Sequence, residues 1–398
     1  MTERPILIAG GGIGGFATAL ALSRKGRAVQ LLEQADDFKE VGAGIQLGPN
    51  VFRMFEVLGV TEAIDAVAVF PDALVMKDAL SGADITRIPV NTNAFRDRFH
   101  YPYGVIYRPD LHQVLIDACQ AAPPVTLVTG CKVTGFEDAG DHVRVEAEDG
   151  RRFEGAALIG ADGLWSAVRR QLVDDGEPRV SGHIAYRAVL PAEQFPEHLS
   201  WNTVVLWAGP KTHLVQYPLH RGEIFNLVAV FHSDRYEEGW DVFGDPEELH
   251  ERFRGQHADV LTLLERIESW RMWVLCDREP IRDWSRGRTT LLGDAAHPML
   301  QYLAQGACMA IEDGVCLADR VAAHGDDLAR AFQAYQGDRY LRTGRVQLTA
   351  RFYGDVYHAA GVTAELRQMM LADRSPAQAY DGMAWLYSGI DASGAQQL

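Results

Sequence analysis

Cysteine is scarce in this sequence, and the cysteines that occur follow no pattern. The 398 residues contain five, with neither a C-x-x-C pair nor a cysteine and histidine spacing typical of zinc sites. An odd, scattered set predicts free thiols in a reducing compartment, and hence a cytoplasmic protein without a structural metal.

Long apolar runs and an excess of positive charge are also missing. No stretch of 18 apolar residues occurs, and the apolar start Ile6 to Ala9 is too short for the core of a signal peptide, so a membrane span is not expected. The net charge of -16 repels a phosphate backbone, which makes nucleic acid an unexpected partner. The composition, 47% hydrophobic and 23% charged, is that of a globular protein of about two to three units.

The first 33 residues alternate strand, helix and strand. An apolar run is followed by Gly10, Gly12 and Gly15 in the pattern G-x-G-x-x-G, and then by a helical pattern and a second β-prone run ending at Glu33. The first glycine permits a tight turn, the second lets the backbone approach a pyrophosphate, and the third lets the helix pack closely on the strand. The carboxylate of Glu33 would accept hydrogen bonds from a ribose. The element predicts a dinucleotide site, and by itself it does not distinguish FAD from NAD.

A second element, Gly293-Asp294, follows the predicted strand Thr289 to Leu292. A carboxylate at this end of a strand reaches a polyol, and FAD has a ribitol chain that NAD lacks. Gly306 begins a helix whose N–H groups would face the flavin ring and stabilise negative charge there.

A third element, Asp162-Gly163, follows another apolar run, and a simple turn is the alternative interpretation. Taken together, in this order and spacing, the three elements resemble the group A flavoprotein monooxygenases, the family of para-hydroxybenzoate hydroxylase and salicylate hydroxylase. The resemblance extends over residues 5 to 350.

The resemblance implies non-covalent FAD, with its ADP half at the G-x-G-x-x-G element and Glu33, and its ribitol at Gly293 and Asp294. It places Asp162 and Gly163 near the pyrophosphate of FAD and near that of the nicotinamide cofactor. It also implies a role in binding FAD for Arg108, which precedes a predicted helix. No second G-x-G-x-x-G occurs. This fits a family in which NADH or NADPH visits transiently, O2 forms a C4a-hydroperoxide on the reduced flavin, and a phenolic ring is hydroxylated. The family also implies a homodimer.

The segments around residues 217, 279 and 297 to 304 are similar to the 3-hydroxybenzoate 6-hydroxylases of this family, including Gln301 where many relatives have proline. The resemblance implies hydroxylation of 3-hydroxybenzoate to gentisate with NADH. Because side chains alternate along a strand, His213 and Tyr217 share one face of a predicted hairpin. We predict His213 as the base that binds the substrate and removes its phenolic proton, since imidazole titrates near neutral pH. Tyr217 is predicted as a substrate-binding partner, and Gln301 as a catalytic group that binds the substrate and orients it at the flavin.

Three alternatives stay open at this point. They are a salicylate 1-hydroxylase that releases catechol, a flavin dehydrogenase that makes no productive use of O2, and a flavin-binding protein without turnover. The predicted fold is α/β, with a Rossmann-like FAD-binding domain, an inserted strand-rich substrate domain and a C-terminal helical region. The predicted bounds are 1–70, 101–180 and 276–350 for the FAD domain, 71–100 and 181–275 for the substrate domain, and 351–398 for the C-terminal region.

Overall fold

The computed structural model describes residues 4–38, 42–233 and 243–395. Its six-stranded sheet is parallel except at one edge, and from that edge the strands are ordered Ser285–Arg286, Thr289–Leu291, Ala157–Gly160, Ile6–Ala9, Val29–Leu32 and Val125–Val128. Ala9 lies beside Leu32 on one side and beside Gly160 on the other. Because parallel strands end at the same edge of a sheet, the three glycine and acid elements predicted from the sequence meet there.

One helix packs on this sheet, and a second helix packs on the first. The helix Ile13–Arg24 is buried along almost its whole length and packs on the helix Gly306–His324. They approach closely because Gly314 has no side chain, and a Cβ there would lie 2.7 Å from the hydroxyl of Thr18. The small residues of both helices thus place the start of each beside the ends of the strands.

A buried group of charges fixes the second of these helices to the long helix Leu328–Tyr357. Arg339 contacts Glu312 at 2.8 Å and Asp313 at 2.7 Å, and Arg342 contacts Glu312 at 2.7 Å. All four side chains are almost fully buried. Burial alone would raise the pKa of Asp313, but the positive charges of His297 and Arg339 outweigh it and lower the pKa to about 2.

The second large sheet has seven strands, ordered Arg271–Asp277, Arg179–Pro191, Ile224–His232, Thr212–Leu219, Thr203–Gly209, Ala73–Asp78 and Asp84–Pro89. Neighbours are antiparallel except for Thr203–Gly209 and Ala73–Asp78. The last two strands come from residues 71–100, the first segment assigned above to the strand-rich substrate domain, and an ion pair between Lys77 and Asp84 joins them near their turn.

The predicted strand-rich section between 181 and 275 also contains two helices, Pro246–Arg252 and Ala258–Glu265, which pack on the seven-stranded sheet. Part of that section, residues 234–242, lies outside the described residues, as does the end of the C-terminal region, 396–398.

The remaining strands form two small sheets, Arg152–Gly155 with Val143–Ala147 and Val133–Asp138, and Gly44–Leu47 with Gly104–Tyr107. The other helices are Pro49–Leu58, Thr61–Val67, Asn93–Phe99, Arg108–Gln120, Ala167–Leu172, Val362–Leu371 and Pro376–Tyr387. Within the described ranges, none of the helices has the length and apolar character that crossing a membrane requires. The layers confirm the predicted α/β class with a second, strand-rich sheet and C-terminal helices.

Candidate active site

A cavity of about 1070 Å³ runs from the strand ends of the six-stranded sheet to the face of the seven-stranded sheet. Every residue predicted from the sequence for cofactor or substrate binding lines it except Gly15. Those that do are Gly10, Gly12, Glu33, Arg108, Asp162, Gly163, His213, Tyr217, Gly293, Asp294, Gln301 and Gly306. A cavity of this size holds a long ligand together with a small one.

The three glycines of the G-x-G-x-x-G element meet different surroundings. Gly10 has a φ of 111°, and a Cβ there would lie 2.3 Å from the carbonyl oxygen of Ala161. A Cβ on Gly15 would lie 2.0 Å from the carbonyl oxygen of Gly10, which explains why Gly15 is packed away from the cavity. A Cβ on Gly12 would meet nothing within 4 Å. Gly10 and Gly15 therefore shape the turn, and Gly12 leaves its backbone open to the cavity.

Two of the predicted acidic residues are engaged by the protein itself. Glu33 accepts hydrogen bonds from the backbone N–H of Gly11, at 2.6 Å, and of Ala35, at 2.8 Å. Asp162 accepts from the hydroxyl of Ser166 at 2.5 Å and from the N–H of Val168 at 3.1 Å, at the start of a short helix. Both carboxylates thus hold the loops around the cavity, whatever else they bind.

Asp294 differs from these two. It lies deep within the protein, which raises the pKa of its carboxyl while the charges of His297 and Arg108 act against the rise. Its side chain is nevertheless exposed, because it projects into the cavity. Among the described residues no donor bonds its carboxylate, whereas the adjoining Gly293 N–H donates to Asp313 at 3.1 Å. The Asp294 carboxylate therefore lacks a hydrogen-bond donor, and a ligand hydroxyl would supply one.

His297 lies in the same loop, pointing away from the cavity. Its Nε2 is 2.5 Å from the Asp313 carboxylate, and its side chain is almost fully buried. His297 therefore anchors the loop that carries Asp294.

At the other end of the cavity, His213, Val215 and Tyr217 line the wall, while Leu214 faces the core behind the sheet. The Nδ1 of His213 lies 2.7 Å from the Nε2 of His358, which leaves the Nε2 of His213 for a ligand. Burial raises the pKa of Tyr217, against the opposing charge of Arg187, and its hydroxyl bonds to no described residue. The strand thus directs two polar groups into the cavity.

The expectation that His213 titrates near neutral pH is wrong. Burial, reinforced by the charge of His183, lowers its pKa to about 3. His213 is consequently a neutral imidazole throughout the working range, able to accept a proton and poorly suited to hold one.

Gln301 contacts a residue that the sequence analysis missed. Arg187 donates from its guanidinium to the Gln301 side-chain oxygen and stacks over the ring of Trp273 at 5.3 Å. Burial lowers the pKa of Arg187, and its Nε bonds to no group in the described ranges. It lies on the strand Arg179–Pro191, where alternation puts it on the same face as His183. Alternation alone does not show that this face borders the cavity.

The comparisons with known proteins agree with this geometry. The family described as "FAD binding domain" matches residues 3–346. A 3-hydroxybenzoate 6-hydroxylase from Polaromonas naphthalenivorans is 47% identical over 386 residues, which cover 97% of this chain and 96% of that protein. The chain belongs to the group A FAD-dependent aromatic monooxygenases.

Other members of the family are similar over comparable lengths. A 3-hydroxybenzoate 6-hydroxylase 1 from Aquipseudomonas alcaligenes is 43% identical over 96% of this chain and 97% of that protein. The solved structure of Klebsiella pneumoniae HpxO complexed with FAD and uric acid is 24% identical, covers 97% of this chain and 97% of its own, and has a TM-score of 0.84. At 24% identity, the similarity to HpxO supports the fold and nothing further.

The residues of this monooxygenase fit FAD at the sheet end of the cavity. Asp294 offers a carboxylate that lacks a protein donor among the described residues, and Gly12 offers open backbone at the start of a helix. Arg108 lies close enough to Asp294 for its charge to act on that carboxyl. The helix that starts at Gly306 presents its unpaired N–H groups to the same space.

The open space at Gly12 leads to a test of the cofactor site. Replacement of Gly12 by leucine should leave the fold intact, because its φ of -77° suits any residue. The side chain would fill the space that a pyrophosphate needs, so the affinity for FAD should fall about a hundredfold, the equivalent of ~3 kcal/mol of lost charge-assisted hydrogen bonds. Fluorescence titration of the apoprotein with FAD measures the change.

Gly337 offers a matched control, since a Cβ there also meets nothing within 4 Å and the residue is exposed on a helix outside the cavity. Gly337→Leu should bind FAD as the unmodified chain does. Equal FAD affinity in Gly12→Leu would show that the pyrophosphate does not approach this glycine.

Proposed function

We propose that this monooxygenase hydroxylates 3-hydroxybenzoate at C6 and releases gentisate, with NADH as the reductant and O2 as the oxidant. The observation that carries the proposal is the placement of His213, Tyr217 and Gln301 around one end of the cavity. The chain is also 43% to 47% identical to near full-length relatives that carry the name 3-hydroxybenzoate 6-hydroxylase.

Arg187 is our candidate for the substrate carboxylate. It is a largely buried cation on the cavity wall, it is held by Gln301, and its charge reaches Tyr217. A planar guanidinium suits a carboxylate, and desolvation strengthens the pairing. The overall charge of -16 would disfavour an acidic substrate, but at short range a buried cation dominates over screened surface charge.

His213 is our candidate for the phenolic oxygen. Its Nε2 would accept the phenolic proton, which makes the ring electron-rich at the position para to the oxygen, and in 3-hydroxybenzoate that position is C6. Tyr217 and Gln301 would hold the ring in this orientation. FAD, held by Gly12, Arg108 and Asp294, would supply the redox chemistry, which is acceptance of a hydride from NADH and activation of O2. The balance is 3-hydroxybenzoate, NADH, a proton and O2 giving gentisate, NAD⁺ and water.

Product analysis tests the proposal. Purified protein with FAD, NADH and 3-hydroxybenzoate should consume O2 and form gentisate in equal amounts, and NADH oxidation should accelerate when the substrate is added. Catechol formed from salicylate would favour salicylate 1-hydroxylase instead. Reduction without O2 incorporation would indicate a dehydrogenase, and no stimulation of NADH oxidation by any hydroxybenzoate would indicate a binding protein without turnover.

We assign FAD to the six-stranded sheet and the aromatic substrate to the seven-stranded sheet, with the domain bounds predicted above. We also place the protein in the cytoplasm, where NADH is available. All five cysteines are free thiols, which supports a reducing environment.

A homodimer is the assembly that we propose. The helices Leu328–Tyr357 and Val362–Leu371 expose large apolar side chains, namely Leu341, Leu348, Phe352, Val362, Leu366, Met369 and Met370. On the first helix these recur at spacings of seven and four, and thus along one face. Sedimentation equilibrium should give twice the mass of one chain, which is 44.0 kDa. Phe352→Glu should shift the measured mass toward that of one chain. A wild-type protein that sediments at the mass of one chain would contradict the assignment.

A further inference from the structure

Four histidines gather behind the substrate end of the cavity. They are His183, His213, His232 and His358, from three strands and the end of the helix Leu328–Tyr357. Only His213 lines the cavity. The remaining three have no part in the function proposed above.

Three of the rings are joined end to end. The Nδ1 of His213 lies 2.7 Å from the Nε2 of His358, and the Nδ1 of His358 lies 2.9 Å from the Nε2 of His232. Both contacts join Nδ1 of one ring to Nε2 of the next. The line begins in the cavity, passes through a buried ring and ends at a half-buried one.

The same cluster has the spacing of a metal site, since ring nitrogens of His183, His232 and His358 lie within 4.8 Å of one another. Two observations favour the hydrogen-bonded line. Both nitrogens of His358 already face other imidazoles. The ring of His183 lies across that of His232, with centroids 4.2 Å apart and planes 37° apart, and its Nδ1 is 2.5 Å from the Tyr302 hydroxyl.

We infer that His213, His358 and His232 form a proton relay between the phenolic oxygen of the substrate and solvent. The inference rests on the proposed function, because it requires a substrate that loses a proton at His213. His358 and His232 act through His213 and are positioning residues.

The proton balance follows from the ring contacts. In the resting state each imidazole carries its proton on Nδ1. His213 accepts the phenolic proton on Nε2 and passes its Nδ1 proton to the Nε2 of His358. His358 passes its own Nδ1 proton to the Nε2 of His232, which releases one from Nδ1 to water. One proton leaves the cavity, no ring keeps a charge, and the reverse sequence returns a proton to the product.

The surroundings of the line explain why a relay is needed. Burial lowers the pKa of His213 to about 3 and also lowers the pKa values of His358 and His232, so none of these rings can store the proton. The other titratable groups around the line are Lys211 and Asp355 near His232, Tyr302 and Tyr357 near His213, and His183. The proton therefore passes along the line and leaves it at the half-buried ring of His232.

Proton release on substrate binding tests the relay. The FAD-loaded protein is mixed with 3-hydroxybenzoate in weak buffer containing a pH indicator, and the absorbance change gives the rate. His358→Gln keeps a polar side chain that cannot pass a proton, and it should slow release at least about tenfold. Hydroxylation in this variant should gain a pH dependence, with the rate rising as the pH increases, because the phenol then ionises without the relay.

His183→Gln is the matched control, since it alters a neighbouring ring outside the line, and it should release protons at the wild-type rate. His232→Gln repeats the test at the half-buried end and serves as the second variant if His358→Gln does not fold. Added imidazole should restore proton release in His232→Gln. Wild-type release rates in both His358→Gln and His232→Gln would overturn the relay, as would equal slowing in His183→Gln. Failure of the wild-type protein to convert 3-hydroxybenzoate would refute the proposed function separately.

Discussion

Replacement of His213 by alanine should lower the rate of ring hydroxylation about a hundredfold, because general base catalysis contributes about 10² to 10⁴ in rate. His213 lines the cavity, and because its Nδ1 is bonded to His358, its Nε2 is the nitrogen left for the substrate. Without it the phenol stays protonated and the ring stays electron-poor. Oxygen that is not transferred to the ring then leaves as hydrogen peroxide. The measurement is the ratio of gentisate and of hydrogen peroxide to NADH consumed.

Two features separate a catalytic effect from a structural one. FAD should stay bound, since His213 lies at the far end of the cavity from Asp294 and Gly12. Raising the pH should restore part of the hydroxylation rate as the phenol, with a pKa of about 10 in water, ionises unaided. His250→Ala, on the exposed face of a helix outside the cavity, is the control and should couple normally. Normal coupling in His213→Ala would remove this histidine from the mechanism.

Replacement of Arg187 by glutamine should weaken the binding of 3-hydroxybenzoate about tenfold to a hundredfold. A hydrogen bond to a charged group contributes about 1.5–3 kcal/mol, and the pairing is made in a largely buried part of the cavity. Glutamine keeps the polarity of the site while removing the positive charge. Spectral titration of the FAD-bound protein with the substrate measures the dissociation constant.

A neutral ligand controls for general damage to the site. 3-Hydroxybenzyl alcohol has the same ring and phenol without the carboxylate, and its affinity should be nearly equal in the two proteins. An equal loss for both ligands would mean that Arg187 supports Gln301, to which it is hydrogen-bonded, and does not bind the carboxylate. Unchanged affinity for 3-hydroxybenzoate would mean that another cation binds it.

The elements around the strand ends were predictable from the sequence because their requirements are local. A glycine with positive φ at position 10, an alternating hairpin from 212 to 232 and a helix start at 306 are each recorded in a few consecutive residues. The strands between 73 and 89 were not predictable in this way. Their alternation is weak, and they are stabilised by pairing with a strand more than a hundred residues away.

Arg187 and His358 were missed for a related reason. Each belongs to an element that was correctly expected as strand-rich or helical, yet nothing in the neighbouring residues distinguishes it from a surface side chain. Arg187 meets Gln301 across 114 positions, and His358 meets His213 across 145. Such contacts depend on how two sheets and a long helix pack.

The sequence by itself determined the α/β fold, the cofactor class and the residues at the strand ends, because glycine geometry and side-chain alternation act over short distances. Only the tertiary structure decided the protonation of the site. The pKa of His213 depends on how much water is excluded around it and on which rings lie next to it, and both follow from packing. The sequence pointed to a histidine that titrates near neutrality, and folding turns it into a neutral imidazole at the cavity end of a line of three.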